Sequence, residues 1–312
     1  MVKRGIKVVI FLSLLTLLVI PLASAGFFSD FIEKFTGRER ITGKAELGTA
    51  DLNITVGNTA PVIDIVETIL SKNPTDDTTT TIVFNFTATD ADGGGNINVS
   101  TAAGYFQRSG ETTRSNTTCS DWATSGNDVN FTCTVDMWYF DENGAWTINV
   151  TVRDINDVTA TNSSTTFTYN ALLGMKLSPT ALTWTGVGLS STNVEANENI
   201  TINNTGNNIN VNINVTSLDL QGEITSTQFI FAENFTVENA PGTCSGTAMV
   251  NNTAINVTSS ILQRGNHTLN FGNATSGQEQ ILFCLEGVPQ DISSQSYSSA
   301  ALGAWTVTVT NV

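Results

Sequence analysis

Charged side chains are scarce in this sequence. Only 13% of its 312 residues are Asp, Glu, Lys or Arg, compared with about 25% in a typical soluble domain. Basic residues are the scarcer sign, 13 against 28 acidic residues, and the formal net charge is −15. An acidic protein of this kind repels phosphate backbones and anionic lipid headgroups, so nucleic acid is not an expected partner.

The residues of common catalytic centres are also missing. The only histidine, His267, lies inside an Asn-His-Thr tripeptide, so a Ser-His-Asp triad would depend on an exposed base. No GxSxG, HExxH, P-loop or GxGxxG motif occurs, which removes the usual sequence signs of hydrolases and nucleotide-binding enzymes. We predict that the protein is not an enzyme and has no cofactor, with a secreted hydrolase using two carboxylates as a remote alternative.

Cysteine is rare too, and no two cysteines are spaced as CxxC, which argues against a metal or redox motif. Cys119 and Cys133 are 14 residues apart, and Cys244 and Cys284 are 40 apart. An even number of cysteines favours disulfides in an exported protein. Four cysteines allow three pairings, and we expect the local one, with one bridge in each candidate domain.

The N-terminus predicts export. Lys3, Arg4 and Lys7 precede an apolar run over 8–20, which is followed by Ala23-Ser24-Ala25. This is the pattern of a signal peptide over residues 1–25, with the mature protein secreted or held in the cell envelope. The run is shorter than the roughly 20 residues that span a bilayer. Two alternatives stay open, a retained anchor and a prepilin-like cleavage site near Gly5, and any membrane contact is expected only through this N-terminal segment.

Residues 26–59 are predicted to form a short amphipathic helix and a linker. Apolar residues spaced three and four apart give the helix one apolar face: Phe27, Phe28, Phe31, Ile32 and Phe35. The linker holds one candidate strand, 50–56.

The rest of the chain alternates apolar with polar residues at period two, the pattern of half-buried strands. Turn-rich stretches separate many short strands, and no pattern of a long helix occurs. We therefore predict an all-β protein with two tandem antiparallel Ig-like β-sandwiches, over 60–170 and 171–312. Asn143-Gly144 between alternating runs predicts a β-hairpin at 141–144.

Asparagine followed two residues later by Ser or Thr recurs throughout these strands. Fifteen such sequons occur, at Asn53, Asn85, Asn98, Asn116, Asn130, Asn149, Asn162, Asn199, Asn203, Asn214, Asn234, Asn251, Asn256, Asn266 and Asn273. In nine of them the middle residue is Ile, Val or Phe. On a strand this residue would point to the core, while the Asn and the hydroxyl residue share the outer face. We predict N-glycosylation at some of these sites, the alternative being an ordinary uncharged β surface.

Two oxygen-rich stretches end predicted strands and predict calcium ligands. They contribute Asp90, Asp92 and Asn96, and Asp154, Asn156 and Asp157. Structural turns are the alternative, since Asp and Asn are common in turns. The two stretches resemble the DxD and DxND elements of cadherin-like repeats, and the stretch Asn58–Ile63 resembles the proline-containing start of such a repeat. The predicted strand over 145–154 is similar to the final strands of PKD and other Ig-like modules.

The whole pattern resembles archaeal cell-surface proteins built from PKD- or cadherin-like modules. That resemblance implies a structural or adhesive role, with copies of the chain, other surface proteins or glycans as partners. The alternative is a carbohydrate- or protein-binding adhesin with a site on its loops.

Overall fold

A computed structural model of the chain describes residues 51–239, 244–264 and 277–312. The predicted signal peptide and amphipathic helix, His267, and the sequons at Asn266 and Asn273 lie outside these residues. The described residues form only strands and short 3-10 turns, so the all-β prediction is confirmed. Residues 51–56 form no strand and are exposed, so the strand predicted in the linker is wrong.

The first eight strands form two antiparallel sheets of four. The strands are β1 Val62–Val66, β2 Thr79–Thr89, β3 Ile97–Gln107, β4 Arg114–Asn116, β5 Ser120–Ser125, β6 Asp128–Trp138, β7 Gly144–Asp154 and β8 Thr159–Tyr169. One sheet has the order β1-β2-β6-β5, and the other has the order β4-β3-β7-β8. With β1 as strand A, these are the ABED and C′CFG sheets of an immunoglobulin-like sandwich.

Period-two alternation fills this sandwich. Every second residue of β6 is buried, from Val129 to Met137, because successive side chains of a strand point to opposite faces. β2 and β6 pair along eleven residues. Their rings Phe86 and Phe131 stack with centroids 4.8 Å apart, and side-chain contacts of this kind across a strand pair stabilise the sheet.

The hairpin predicted at 141–144 is wrong. β6 and β7, which flank this stretch, lie in opposite sheets, so the chain crosses from one sheet to the other here. Asp141 is fully buried; it accepts hydrogen bonds from Arg114 and from the backbone N–H of Trp138. The hydrogen bonds of the Asp141 carboxylate thus hold this segment in the interior as the chain changes sheets. An Asn-Gly hairpin would instead have kept β6 and β7 in one sheet.

The first disulfide joins Cys119, in the segment between β4 and β5, to Cys133 of β6. Its sulfur packs against Gly104 of β3. A Cβ atom at Gly104 would come within 2.9 Å of the Phe84 ring and 3.0 Å of the Cys133 sulfur. Glycine is therefore required at this point of β3 by the close approach of the two sheets.

The remaining strands form a second, less regular sandwich. They are β9 Met175–Ser178, β10 Thr192–Glu195, β11 Ile200–Asn204, β12 Val211–Thr216, β13 Leu220–Gly222, β14 Phe229–Ile230, β15 Phe235–Glu238, β16 Thr247–Ala248, β17 Ala254–Leu262, β18 Gln278–Gly287, β19 Tyr297–Ser298 and β20 Thr306–Asn311. The largest sheet has the order β16-β15-β18-β11-β9, with β10 also paired to β18. Two three-stranded sheets, β17-β12-β20 and β14-β13-β19, complete the described part.

The second disulfide joins Cys244 to Cys284 of β18, so both bridges have the local pairing. Residues 181–186 alternate apolar and polar side chains but have no regular structure, and Trp305 directly precedes β20. The hydrophobic clusters of the two sandwiches share no residue.

Residues 57–312 nevertheless form one compact unit, because polar side chains join the sandwiches. Asn207 is fully buried. Its side-chain amide donates to the carbonyls of Asp141 and Asn170, each at 3.0 Å, and accepts from the backbone N–H of Leu172 at 2.7 Å. An amide that satisfies three backbone groups fixes the loop of the second sandwich against the first.

An ion-pair cluster stands beside this amide. Arg264 binds the carboxylate of Glu111 with both of its terminal nitrogens and donates to the carbonyl of Phe140 at 2.8 Å. The Glu111 side chain is only 1% exposed. Because a buried carboxylate without a partner is costly, this pair ties the second sandwich to the first.

Candidate functional site

The predicted glycan acceptors lie on the outer faces of both sandwiches. None of the thirteen described sequon asparagines is buried. In the nine sequons with an apolar middle residue, seven middle residues are buried: Phe86, Phe131, Val150, Ile200, Val215, Phe235 and Val257. Ile54 and Val99 are the exposed exceptions. The period-two arrangement of Asn and hydroxyl residue outside and apolar residue inside therefore holds at most of these sequons.

Two of the sequons face each other across β2 and β6. Asn85 lies opposite Thr132, and Thr87 lies opposite Asn130. Each threonine hydroxyl donates to the amide oxygen of the facing asparagine, at 2.7 Å in both cases. The two tripeptides thus form a reciprocal pair of hydrogen bonds, a polar ladder, on the outer face of the sheet, while Phe86 and Phe131 stack on the inner face. The sequence alone did not reveal this structural role for Asn and Thr.

Two other sequons close turns within themselves. The amide oxygen of Asn116 accepts from the backbone and hydroxyl of Thr118, and that of Asn162 accepts likewise from Ser164. These are Asx-type turns. Their amide nitrogens donate to the carbonyls of Thr134 and Ile63, so these two sequons also hold neighbouring strands.

The candidate calcium residues gather at one end of the first sandwich. Asp154 is buried and accepts from the side chain of Asn58 at 2.7 Å and from the backbone N–H groups of Asn156 and Val158. Asp92 accepts from the backbone N–H of Thr59 at 2.6 Å. The segment that precedes β1 therefore lies beside both strand-end turns.

The other candidates of this end extend the same hydrogen-bonded cluster. The Asn96 side chain donates to the carbonyl of Asp92 at 2.6 Å, and the Asn96 carbonyl accepts from the backbone N–H of Ile155. Asp90 is fully buried and accepts from the N–H of Asp92. Asp157 has an 82% exposed side chain and faces Arg153 at 3.9 Å.

Hydrogen bonds set the charge of Asp154. Burial alone would raise its pKa, but the Asn58 amide and the N–H groups of Val158 and Asn156 outweigh it and hold the pKa below the ordinary value of 3.8. Hydrogen bonds to the charged form of a carboxyl have this effect. Asp154 is therefore an ionised cap on the turn that follows β7.

These residues fit a calcium ion only in part. One buried acceptor, Oδ2 of Asp90, has no hydrogen-bond partner. The side chains offer oxygen atoms as candidate metal ligands, which Ca²⁺ prefers. Both oxygens of Asp154 and one oxygen of Asp92 are already bonded to N–H groups. Within the described residues no three Asp, Glu, His or Cys side chains are grouped to hold a metal. The hydrogen bonds favour the structural-turn interpretation, and calcium stays a prediction.

The tryptophans are mostly structural. Trp146 is fully buried in the first core. Among the aromatic side chains of the described residues only Trp122 and Phe231 are exposed, at 62% and 51%, and they belong to different sandwiches. They do not form the grouped aromatic platform expected of a carbohydrate binder.

No helix in the described part of the chain is long and apolar enough to cross a bilayer. The two disulfides indicate that the protein folds outside the reducing cytosol.

Comparisons with known proteins leave the family open. No family model and no curated protein matches the chain. Among solved structures it is similar to the secreted serine protease VesC from Vibrio cholerae, at 11% identity, covering 76% of this chain and 50% of that one, with a TM-score of 0.20. The chain thus spans half the length of that structure, and so low a TM-score carries no argument about fold or function.

Proposed function

We propose that this chain is an exported, non-catalytic glycoprotein that serves as a structural or adhesive module at the cell surface. The observation that carries the proposal is that no described sequon asparagine is buried, while seven of the nine apolar middle residues are. The two disulfides support it, because they persist in oxidising compartments.

Glycans on these faces would also protect the sandwiches from association. Uncharged β surfaces that are rich in Asn and Thr can pair between molecules, and natural sheets usually prevent this with charge. This chain has little charge, so we infer that bulky sugars take over that task on the faces while the ends of the sandwiches make contacts.

The joint between the sandwiches supports a structural role. Asn207 and Arg264 hold the two as one compact unit, whereas tandem domains are expected by default to move relative to each other. Two sandwiches joined in this way would hold a fixed spacing, which suits a surface lattice or an adhesive stalk. Its partners would be copies of itself or other surface proteins.

Cell-surface labelling tests this proposal. Intact native cells are treated with a membrane-impermeant biotin reagent, and the labelled protein is recovered and examined by electron microscopy for ordered assembly, with and without calcium. Labelling together with ordered assembly of the purified protein supports the scaffold role. Protection from the reagent in intact cells, together with labelling after lysis, would contradict the surface location.

A further inference from the structure

The second sandwich has an open cavity of about 700 Å³ on one side. Its floor is the closed core, where Val215, Phe235 and Phe283 are at most 2% exposed. Its accessible apolar surface comes from partly exposed side chains, among them Trp184, Trp305 and Val187. The volume lies within the roughly 300–1,000 Å³ of small-molecule sites.

Aromatic rings fix the shape of this cavity. Trp184 and Trp305 each meet Phe235 edge to face, with centroids 5.3 Å and 5.2 Å apart. The indole N–H of Trp184 donates to the carbonyl of Val194 at 3.1 Å, and that of Trp305 donates to Leu218 at 2.7 Å. The rings are thus held in place, and neither indole N–H is spare for a polar ligand.

The larger polar side chains of the wall are already occupied. Gln295 accepts from the backbone N–H groups of Ile224 and Thr225 and donates to Gln228. Tyr297 donates to the carbonyl of Ser293 at 3.0 Å. A ligand with many hydroxyls, such as a sugar, would leave polar groups unpaired against these walls, which costs affinity. The apolar part of the cavity, around Trp184 and Trp305, therefore favours hydrocarbon.

The charge at the cavity determines which polar end the ligand can carry. Glu223, which is exposed, is the one charged residue among the described lining residues. A carboxylate or sulfate on the ligand would meet this negative charge on a protein whose net charge is already −15. The half-buried and exposed serines of 293–299 offer hydroxyl groups to an uncharged end.

We propose that the second sandwich binds a single alkyl or acyl chain whose polar end is uncharged or cationic. The chain lies in the cavity against Trp184, Trp305 and Val187, and the polar end stays at the serine-lined opening. The source of the chain, a membrane lipid or a free amphiphile, shares this chemistry.

Tryptophan fluorescence tests the proposal with ω-bromododecanol, an uncharged alkyl chain whose bromine quenches nearby indoles. Two of the five tryptophans line the cavity, so we expect saturable quenching of part of the emission. Bromoethanol, which lacks the chain, should give only unsaturable quenching. The anionic ω-bromododecanoate should bind at least about tenfold more weakly, which corresponds to 1.4 kcal/mol.

Variants place the probe in the cavity. Val187→Phe fills part of the volume without adding charge, and Ile292→Arg puts a charge into the apolar wall; both should weaken binding at least about tenfold. The matched control Ile209→Arg, at a position that is 52% exposed and outside the lining, should bind like the unchanged protein. Circular dichroism verifies that each variant is folded.

Quenching that does not saturate, or an unchanged midpoint in a folded Val187→Phe variant, would overturn the proposal. Equal binding of the anionic probe would overturn the assigned charge preference. Titration with vesicles of an uncharged lipid that carries a brominated chain then separates the two sources: quenching by vesicles indicates a membrane lipid, and quenching by the monomeric alcohol alone indicates a free amphiphile.

Discussion

Both sandwiches are built from strands that alternate apolar and polar residues, but their cores pack differently. The first cluster has 22 buried residues and a single partly buried neighbour, Val66. In the described part of the second, 14 buried residues are accompanied by 14 partly buried ones. The first sandwich buries its apolar residues almost completely, whereas the second leaves Trp184, Tyr297 and Trp305 only partly buried beside a cavity.

Strand length explains this difference. Five strands of the first sandwich, β2, β3, β6, β7 and β8, are eleven residues long, and in β2, β6 and β7 the burial alternates along most of the strand. Most strands of the second have two to six residues. Irregular segments such as 179–189 and 288–296 take the place of strand on one side, where they line the open cavity.

The largest predicted effect contrasts two tryptophans. Trp146→Ala in the filled core should lower the free energy of unfolding by about 3–5 kcal/mol, because a fully buried ring leaves a cavity. Trp305→Ala should cost less than half of this, because Trp305 already borders open space. Urea titration followed by far-ultraviolet circular dichroism measures both. Equal costs would break the comparison between a filled and an open core.

The joint between the sandwiches gives the second prediction. Asn207→Ala removes three hydrogen bonds and leaves buried backbone groups unpaired, so it should cost about 2–3 kcal/mol and separate one unfolding transition into two. Asn208→Ala is the matched control, since its amide bonds only Asn311 at the surface and should cost under about 1 kcal/mol. Calorimetry distinguishes one transition from two, and a single unshifted transition in Asn207→Ala would contradict the rigid joint.

Acid pH should act on the end of the first sandwich that holds Asp154. Because its pKa is lowered in the folded protein, its ionised form stabilises the fold above the ordinary value of 3.8, and this contribution is lost as the pH falls through the folded value. Asp154→Asn should therefore lower the melting temperature at pH 7 and lower it less at about pH 3. The same change at the exposed Asp157 should have little effect at either pH.

Melting temperatures also test whether this end of the first sandwich binds calcium. If the end cluster is a set of structural turns, adding calcium or a chelator leaves the melting temperature of the unchanged protein where it is. A rise with calcium that disappears in Asp90→Asn would instead show that the unpaired oxygen of Asp90 belongs to a metal site.

The smallest expected effect concerns the polar ladder on β2 and β6. Thr132→Val keeps the shape but removes the hydrogen bond to Asn85, so it should cost about 0.5–1.5 kcal/mol. Thr134→Val, on the same face of β6 and exposed, is the control and should cost less. Chemical denaturation measures both, and equal costs would mean that the ladder adds nothing.

Much of the fold could be predicted from alternation, because burial of every second residue in β2, β6 and β7 depends on the local sequence alone. The strands β4 and β5 could not, since they are short and mostly polar. β4 pairs with β3 and β5 pairs with β6, and the bridge from Cys119 to Cys133 holds the segment between them against β6. The crossing at Asp141 depends on Arg114, which is 27 residues away in the sequence. The nearby Asn143-Gly144 pair predicts a hairpin instead, which is wrong. Likewise, Asn207 belongs to an asparagine-rich stretch and its sequence context does not distinguish it from its neighbours, although it is buried in the joint.

The measurement that tests the account most directly is the intact mass of protein purified from its native source, followed by mapping of the sequon peptides. The account predicts two disulfides and sugar mass on one or more of the outward-facing asparagines. A mass equal to that of the bare polypeptide with four free thiols would contradict it.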